Sequence, residues 1–191
     1  EKVDHLGVDA GSTEPGPYYL GSGKSFTDRG AVKRDLSLAL PKALEHKAPF
    51  IIGTAGGAGS KEHVAWLKEI LVEVAKEQNL HFTLGTVLSD VSTEYVLDKF
   101  DNGKIVDISS EFPFVRKSAE QSSRIVSQIG IAPIIELLKK DVDVIICGRA
   151  CDTAIYAAPC IYEGYKEGLA FHMAKIMECG AMCSEPVAAA D

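Results

Sequence analysis

Short apolar runs alternate with longer helical patterns along this chain, and that alternation constrains its fold more than any other feature. Runs of strand length occupy residues 5–8, 50–52, 82–87, 105–108 and 142–146. A helical pattern of apolar and polar residues follows most of these runs. Parallel strands need long crossover connections, which helices commonly provide. The sequence therefore predicts an α/β fold: a three-layer, Rossmann-like arrangement with a mainly parallel sheet and helices on both faces.

The helical patterns differ in how clearly their ends are marked. They cover residues 30–46, 61–77, 118–129, 134–140, 154–165 and 169–179. Over 61–77, apolar residues recur every three or four positions and form one stripe, and Ser60 is placed to cap that helix. Pro41 is expected to kink or divide the helix over 30–46, because proline removes a backbone donor. The short run at 105–108 suits an edge strand.

Composition limits the functions that a chain of this length serves. The 191 residues are 46% hydrophobic and 25% charged, which is typical of a globular protein, and the net charge is -7. Lysine and arginine are scattered, whereas a nucleic-acid groove needs them clustered, so we expect no nucleic-acid partner. The chain begins without methionine and ends on residues 188–191 without a helix stop signal. We predict a single α/β domain over residues 1–191 that is a piece of a longer chain.

The cysteine count and the length of the apolar runs bear on the compartment. No apolar run approaches the roughly 20 residues that span a bilayer, and no signal-peptide pattern opens the chain. Five cysteines is an odd number, which favours a reducing compartment over a disulfide framework. The sequence therefore predicts a cytoplasmic protein with no membrane partner. We expect it to form a homo-oligomer or to assemble with a partner subunit.

The loop after the apolar run 142–146 carries the most chemistry. It reads Cys-Gly-Arg-Ala-Cys-Asp-Thr over residues 147–153. Open α/β sheets place their ligands at the carboxyl ends of the strands, where this loop would lie. Arg149 suits a planar, two-pronged contact with a carboxylate or phosphate, and Asp152 and Thr153 offer further polar groups. A purely structural ion pair between Arg149 and Asp152 is the alternative.

Two earlier loops offer partners for that site. Asp9, Ser12 and Thr13 follow the first strand, where they would bind a ligand or a metal or simply cap a turn. The second loop, residues 53–60, joins a strand to a capped helix and is rich in glycine. Its expected anion-binding residues are Gly56, Gly57, Gly59 and Ser60. It is neither a dinucleotide motif nor a P-loop, and a tight turn without a ligand is equally compatible with it.

The last helical pattern adds a face of reactive side chains. His172, Lys175 and Cys179 are spaced three and four residues apart, so they share one side of the helix. We expect His172 and Lys175 to assist acid–base chemistry if this helix folds over the crevice, and the alternative is an ordinary solvated face. Cysteines four apart, at 147 and 151 and at 179 and 183, lack the tighter spacing of zinc sites. We therefore predict no metal ligands, and no particular cofactor is indicated.

Four motifs together resemble the acyclic terpene utilisation (AtuA-type) family. They are DAGSTEPGPYYLGSG over residues 9–23, GTAGGAGS over 53–60, GRACDT over 148–153 and HMAKIMECG over 172–180. The resemblance spans most of the chain, and family members are typically longer. It implies a cytoplasmic catabolic protein linked to the breakdown of branched acids or their CoA esters. Some relatives carry lyase-type names.

Together these observations predict a catabolic enzyme, a lyase or hydratase that acts on a small carboxylic acid or acyl-CoA. Arg149 and the glycine-rich loop would bind the anionic group of the substrate, while Asp9 or Asp152 would move a proton. One alternative is an ATPase-like module in which the loops after the first two strands bind the phosphates of a nucleotide. The other is a non-catalytic subunit whose site is completed by residues of a larger enzyme.

Overall fold

A parallel sheet forms the centre of the fold. The structure is a computed structural model that describes residues 2–11, 13, 15–108 and 111–180. Within these residues the sheet has four strands: β1 (Leu6–Gly11), β2 (Phe50–Gly57), β3 (Leu84–Val87) and β4 (Val144–Cys147). Their order is β1-β2-β4-β3, and every neighbouring pair is parallel. The predicted α/β fold with a parallel sheet is confirmed.

Helices cover both faces of this sheet. In the described part of the chain they are α1 (Tyr18–Ser22), α2 (Arg29–His46), α3 (Lys61–Gln78), α4 (Thr93–Asp101), α5 (Arg116–Gln121), α6 (Ala132–Leu138), α7 (Ala154–Tyr162) and α8 (Glu167–Glu178). Helices α2 and α3 pack on one face, and α6 and α7 pack on the other. Helix α8 packs against α7. Among the described residues, no helix combines the length and the apolarity that a membrane crossing requires.

The two central strands are buried on both sides because their side chains alternate between two cores. Ile52 of β2 and Ile146 of β4 belong to the core beneath α2 and α3. Ile51 and Ile145, one position earlier, belong to the core beneath α6 and α7. This alternation follows from the two-residue period of a strand. It explains why both strands are continuous apolar runs in the sequence.

Two predicted elements are wrong. Residues 105–108 form no strand, and Val106 and Ile108 are exposed, so this apolar run faces solvent instead of a sheet. The helix predicted over 118–129 ends at Gln121 as α5. Beyond it, residues 122–129 run as an extended segment that pairs with other loops, since the Ile129 N–H donates to the Arg149 carbonyl. The Ser127 N–H likewise donates to the Ser89 carbonyl at 2.7 Å, so backbone groups of this segment have their partners in other loops.

Three further details of the helices differ from the predictions. Pro41 does not divide α2, which is continuous across it. The carbonyl of Ser37, which loses its partner four residues later, accepts a hydrogen bond from Gln78 Nε2 at 3.0 Å. The last helix, predicted over 169–179, begins at Glu167, so Gly168 lies in the first turn of α8. Helix α4 was not predicted, although Ser92 caps it through the Tyr95 N–H.

Candidate functional site

Three strand-to-helix loops meet at the carboxyl edge of the sheet. The Arg149 N–H donates to the Gly59 carbonyl at 3.1 Å and to Ser89 Oγ at 2.7 Å. Ser89 Oγ in turn donates to the Gly59 carbonyl at 2.9 Å. Thr54 Oγ1 accepts from the Ala150 N–H at 3.2 Å, which ties β2 to the same loop. The structure therefore brings the loop around Arg149 into direct contact with the glycine-rich loop.

Gly59 makes this contact sterically possible. Its φ is +75°, and a Cβ atom at this position would lie 2.2 Å from the Arg149 nitrogen. Both facts demand glycine, the first for backbone conformation and the second for space. The glycine at this position therefore allows the close approach of two loops.

Three carboxylates converge beside this junction, and we call them the carboxylate cluster: Asp9, Asp152 and Glu178. Oxygen atoms from the three lie within 4.8 Å of one another. Asp9 is in β1, Asp152 precedes α7, and Glu178 is the last residue of α8. Carboxylate oxygens at such distances could hold a hard divalent cation between them. Without one, the negative charges of Asp152 and Glu178 disfavour the ionised form of Asp9.

Two cations lie next to this cluster in the described residues: Lys175 pairs with Glu178, and Arg149 lies near Asp152. Arg149 is the less exposed of the two. Its Nη2 lies 3.7 Å from Asp152 Oδ1, which is an ion pair but too long for a hydrogen bond. The Arg149 side chain is only 13% exposed. Both Arg149 Nη1 and Asp152 Oδ1 are buried without a hydrogen-bond partner among the residues that the structure describes. A ligand with an anionic oxygen would satisfy the guanidinium.

The surroundings of Asp9 raise its pKa. Burial and the nearby Asp152 carboxylate raise the pKa of Asp9 to about 6, and Glu178 adds to the increase. The Gly11 N–H, which donates to Asp9 Oδ1 at 3.3 Å, and Arg149 oppose it. A carboxyl group with a pKa near neutrality exchanges a proton readily under physiological conditions.

Tyr156 completes the surroundings of Asp9. The Asp9 N–H donates to Tyr156 Oη at 3.3 Å. Burial raises the pKa of Tyr156, and the charges of Asp9 and Glu178 raise it further, so the phenol keeps its proton. Neither Tyr156 nor Glu178 was predicted as a site residue. The available signals were weak: Tyr156 follows Asp152 by one helical turn, and Glu178 follows Lys175 by three residues.

The glycine-rich loop is more enclosed than an open anion cradle. Gly56, Gly57, Gly59 and Ser60 are all buried. The Gly59 N–H donates to the Ala55 carbonyl, and the Ser60 N–H donates to His63 Nδ1 at 3.1 Å. These two donors are therefore occupied within the protein. Anion binding by this loop stays a prediction, and Arg149 beside it is the better-exposed source of positive charge.

The remaining predicted site residues lie at different distances from the cluster. Lys175 forms an ion pair with Glu178 and so reaches the cluster through that residue, whereas His172 is exposed on α8. Thr153 Oγ1 lies 3.4 Å from Cys151 Sγ. Ser12 lies outside the described residues. Roles for these side chains stay predictions.

Arg149 also lines an open cleft of about 410 Å³. Besides Arg149, its walls are formed by Thr13, Gly16, Pro17, Leu20, Ala58, Val126 and Gln128. This volume is within the range of small-ligand sites, about 300–1,000 Å³. Its walls are mainly apolar, and the guanidinium is its charged group. The cleft therefore suits a small organic acid with an aliphatic body.

Comparison with known proteins adds one finding. Residues 28–190 match the family described as acyclic terpene utilisation family protein AtuA. That match includes Arg149, Asp152 and Glu178 and begins after Asp9. No curated protein and no solved structure matches the chain significantly.

Proposed function

The chain belongs to the acyclic terpene utilisation family AtuA, and on this basis we propose that it is a catabolic enzyme, a lyase or hydratase that acts on a small carboxylic acid or acyl-CoA. The family description implies a role in the catabolism of acyclic terpenes. The observation that carries the proposed reaction is Asp9, whose pKa is raised to about 6 near a partly buried arginine. Perturbed carboxyl groups of this kind cluster at catalytic sites.

Arg149 binds the anionic group of the substrate in this proposal. Its Nη1 is buried without a described partner, and Arg149 is one of the residues that line the cleft. Asp152, a member of the carboxylate cluster, forms an ion pair with the Arg149 guanidinium at 3.7 Å. A substrate carboxylate or thioester oxygen would then lie between the cleft and Asp9, with the aliphatic body against Leu20 and Val126.

Asp9 moves the proton. In the hydratase direction, water adds to a double bond conjugated to the substrate carbonyl. Asp9 takes a proton from the water as the water oxygen bonds to the β-carbon, and the electron pair of the double bond moves onto the carbonyl oxygen. The enolate then takes that proton from Asp9 at its α-carbon. The lyase direction is the reverse, and neither direction needs an oxidant or a reductant.

The test is the Asp9→Asn variant, assayed on unsaturated acids from crotonate to geranate and on their CoA thioesters. Loss of the proton acceptor should lower kcat/KM by about 10²–10⁴-fold. For the unmodified protein, kcat/KM should rise with pH through about 6, as Asp9 loses its proton. Asp35→Asn is the matched control, because Asp35 pairs with Arg34 on the surface, and it should leave kcat/KM unchanged.

Two results would contradict this proposal. One is turnover that survives Asp9→Asn. The other is thermal stabilisation by ATP with magnesium but not by butyrate or crotonyl-CoA, which would favour a nucleotide-binding module.

A further inference from the structure

The position of Tyr156 is defined by its packing on the first strand. Tyr156 lies in the first turn of α7, and its ring crosses β1 at Gly7. A Cβ atom on Gly7 would lie 2.9 Å from Tyr156 Cε1, so only glycine leaves room for the ring at this distance. The ring thereby carries its hydroxyl along β1 to the backbone of Asp9, two residues further on.

The hydroxyl is an acceptor in the contact that it makes. The Asp9 N–H donates to Tyr156 Oη at 3.3 Å, so that hydrogen bond does not use the proton of the phenol. Within the described residues, Tyr156 Oη makes no other hydrogen bond. A phenol fixed on one side and unused as a donor is suited to bind an oxygen atom of a ligand.

We propose that Tyr156 is a further catalytic residue, whose O–H donates a hydrogen bond to the substrate carbonyl oxygen as that oxygen becomes an enolate. The inference rests on the proposed function, in which Asp9 moves the proton. In this proposal the Tyr156 hydroxyl, together with Arg149, stabilises the negative charge that develops on the oxygen. A fixed donor aimed at a developing charge lowers the barrier because it needs no reorganisation during the reaction.

Tyr156→Phe tests the chemical step. The variant keeps the ring against Gly7 and removes only the hydroxyl. We expect kcat to fall by about 10²–10³-fold with little change in KM. Tyr162→Phe is the matched control, because Tyr162 belongs to the same helix and is 40% exposed, and it should behave like the unmodified protein. A wild-type kcat for Tyr156→Phe would overturn the inference, and so would a fall that follows a loss of folded protein.

A binding measurement separates this inference from the proposed function. The unmodified protein would carry tyrosine labelled with ¹³C at Cζ, and the Tyr156 signal is assigned by its loss in Tyr156→Phe. Titration with butyrate, which has no double bond to hydrate, should shift that signal and leave the Tyr162 signal in place. Binding by calorimetry without this shift would overturn the role of Tyr156 and leave the proposed function standing. An absence of binding, or full activity of Asp9→Asn, would overturn both.

Discussion

Two groups of charged side chains in this protein differ in how closely cations pair with their carboxylates. Between α2 and α3, Arg29, Lys33, Glu73 and Glu77 form a surface group that we call the α2–α3 network. Its ion pairs are short, at 2.6–2.7 Å, and two cations face two carboxylates. In the carboxylate cluster, Glu178 pairs with Lys175, whereas Asp9 and Asp152 have Arg149 nearby, and the ion pair from Arg149 to Asp152 is 3.7 Å long.

The pKa of Asp9 in the cluster and the pKa of Glu73 in the α2–α3 network are shifted in opposite directions. Hydrogen bonds from Lys33 and then Arg29 lower the pKa of Glu73, whereas burial and Asp152 raise the pKa of Asp9 to about 6. A carboxylate that stabilises the fold, such as Glu73, is paired with cations. Its pKa is lowered, so it stays ionised. A carboxylate that lies close to other carboxylates does not stabilise the fold when it is ionised. Such an arrangement is the pattern expected of a catalytic site.

Among the substitutions that separate the two groups of charges, Arg149→Met should have the largest effect, because it removes the cation that pairs with Asp152 and lowers the pKa of Asp9. The Arg149 backbone still bonds Gly59 and Ser89, so the loop should stay in place. We expect butyrate affinity, measured by calorimetry, to fall about 100-fold. The pKa of Asp9 should rise further above 6, because Arg149 lowers it now. Carbon-13 NMR of the aspartate carboxyl groups would report that titration.

Arg29→Met is the control for this comparison. Arg29 pairs with Glu73 at the surface, where its side chain is 46% exposed, so neither the affinity nor the Asp9 titration should change. Equal effects of the two substitutions would erase the distinction between the two groups of charges.

The central strands were the part of the fold that the sequence predicted well. Continuous apolar runs such as 142–146 occur where both faces of a strand are buried, and β4 is buried throughout. The run at 105–108 has a similar composition but lies on the surface. Composition alone does not separate these two cases, because burial depends on which elements pack nearby.

The candidate site was predictable only where it follows a strand directly. Asp9, Arg149 and Asp152 all lie in or just after a strand, and the rule for parallel sheets brings such residues to one edge. Tyr156 and Glu178 reach Asp9 because α7 packs across β1 and α8 packs on α7. Those two packing arrangements are tertiary, so no spacing in the sequence reveals them.

A smaller effect concerns the dependence of stability on pH. The pKa of Asp9 rises from 3.8 to about 6 on folding, so folding is favoured when Asp9 is protonated and that contribution is lost as pH rises through 6. Asn resembles the protonated form. Asp9→Asn should therefore be more stable than the unmodified protein at about pH 7.5, by about 1 kcal/mol after allowance for solvent screening. The difference should shrink as pH falls and vanish only well below the unfolded pKa of 3.8.

Urea unfolding at a series of pH values measures this difference. A variant that is less stable than the unmodified protein at neutral pH would mean that Asp9 is held by favourable contacts, as Glu73 is. Asp9 in the carboxylate cluster would then stabilise the fold through its ionised form, in the same way as the surface carboxylate Glu73.

The smallest effect, and the one with the opposite sign, should come from Glu73→Gln. The lowered pKa of Glu73 means that its contribution to stability is present above its unfolded pKa of 4.5 and is lost as pH falls. Glu73→Gln should therefore be slightly less stable at neutral pH and equal to the unmodified protein in acid. Because these charges are exposed, added salt should remove most of the difference. Thermal unfolding of both variants in low and high salt tests this, and a salt-independent loss would show that Glu73 acts through packing and not through charge.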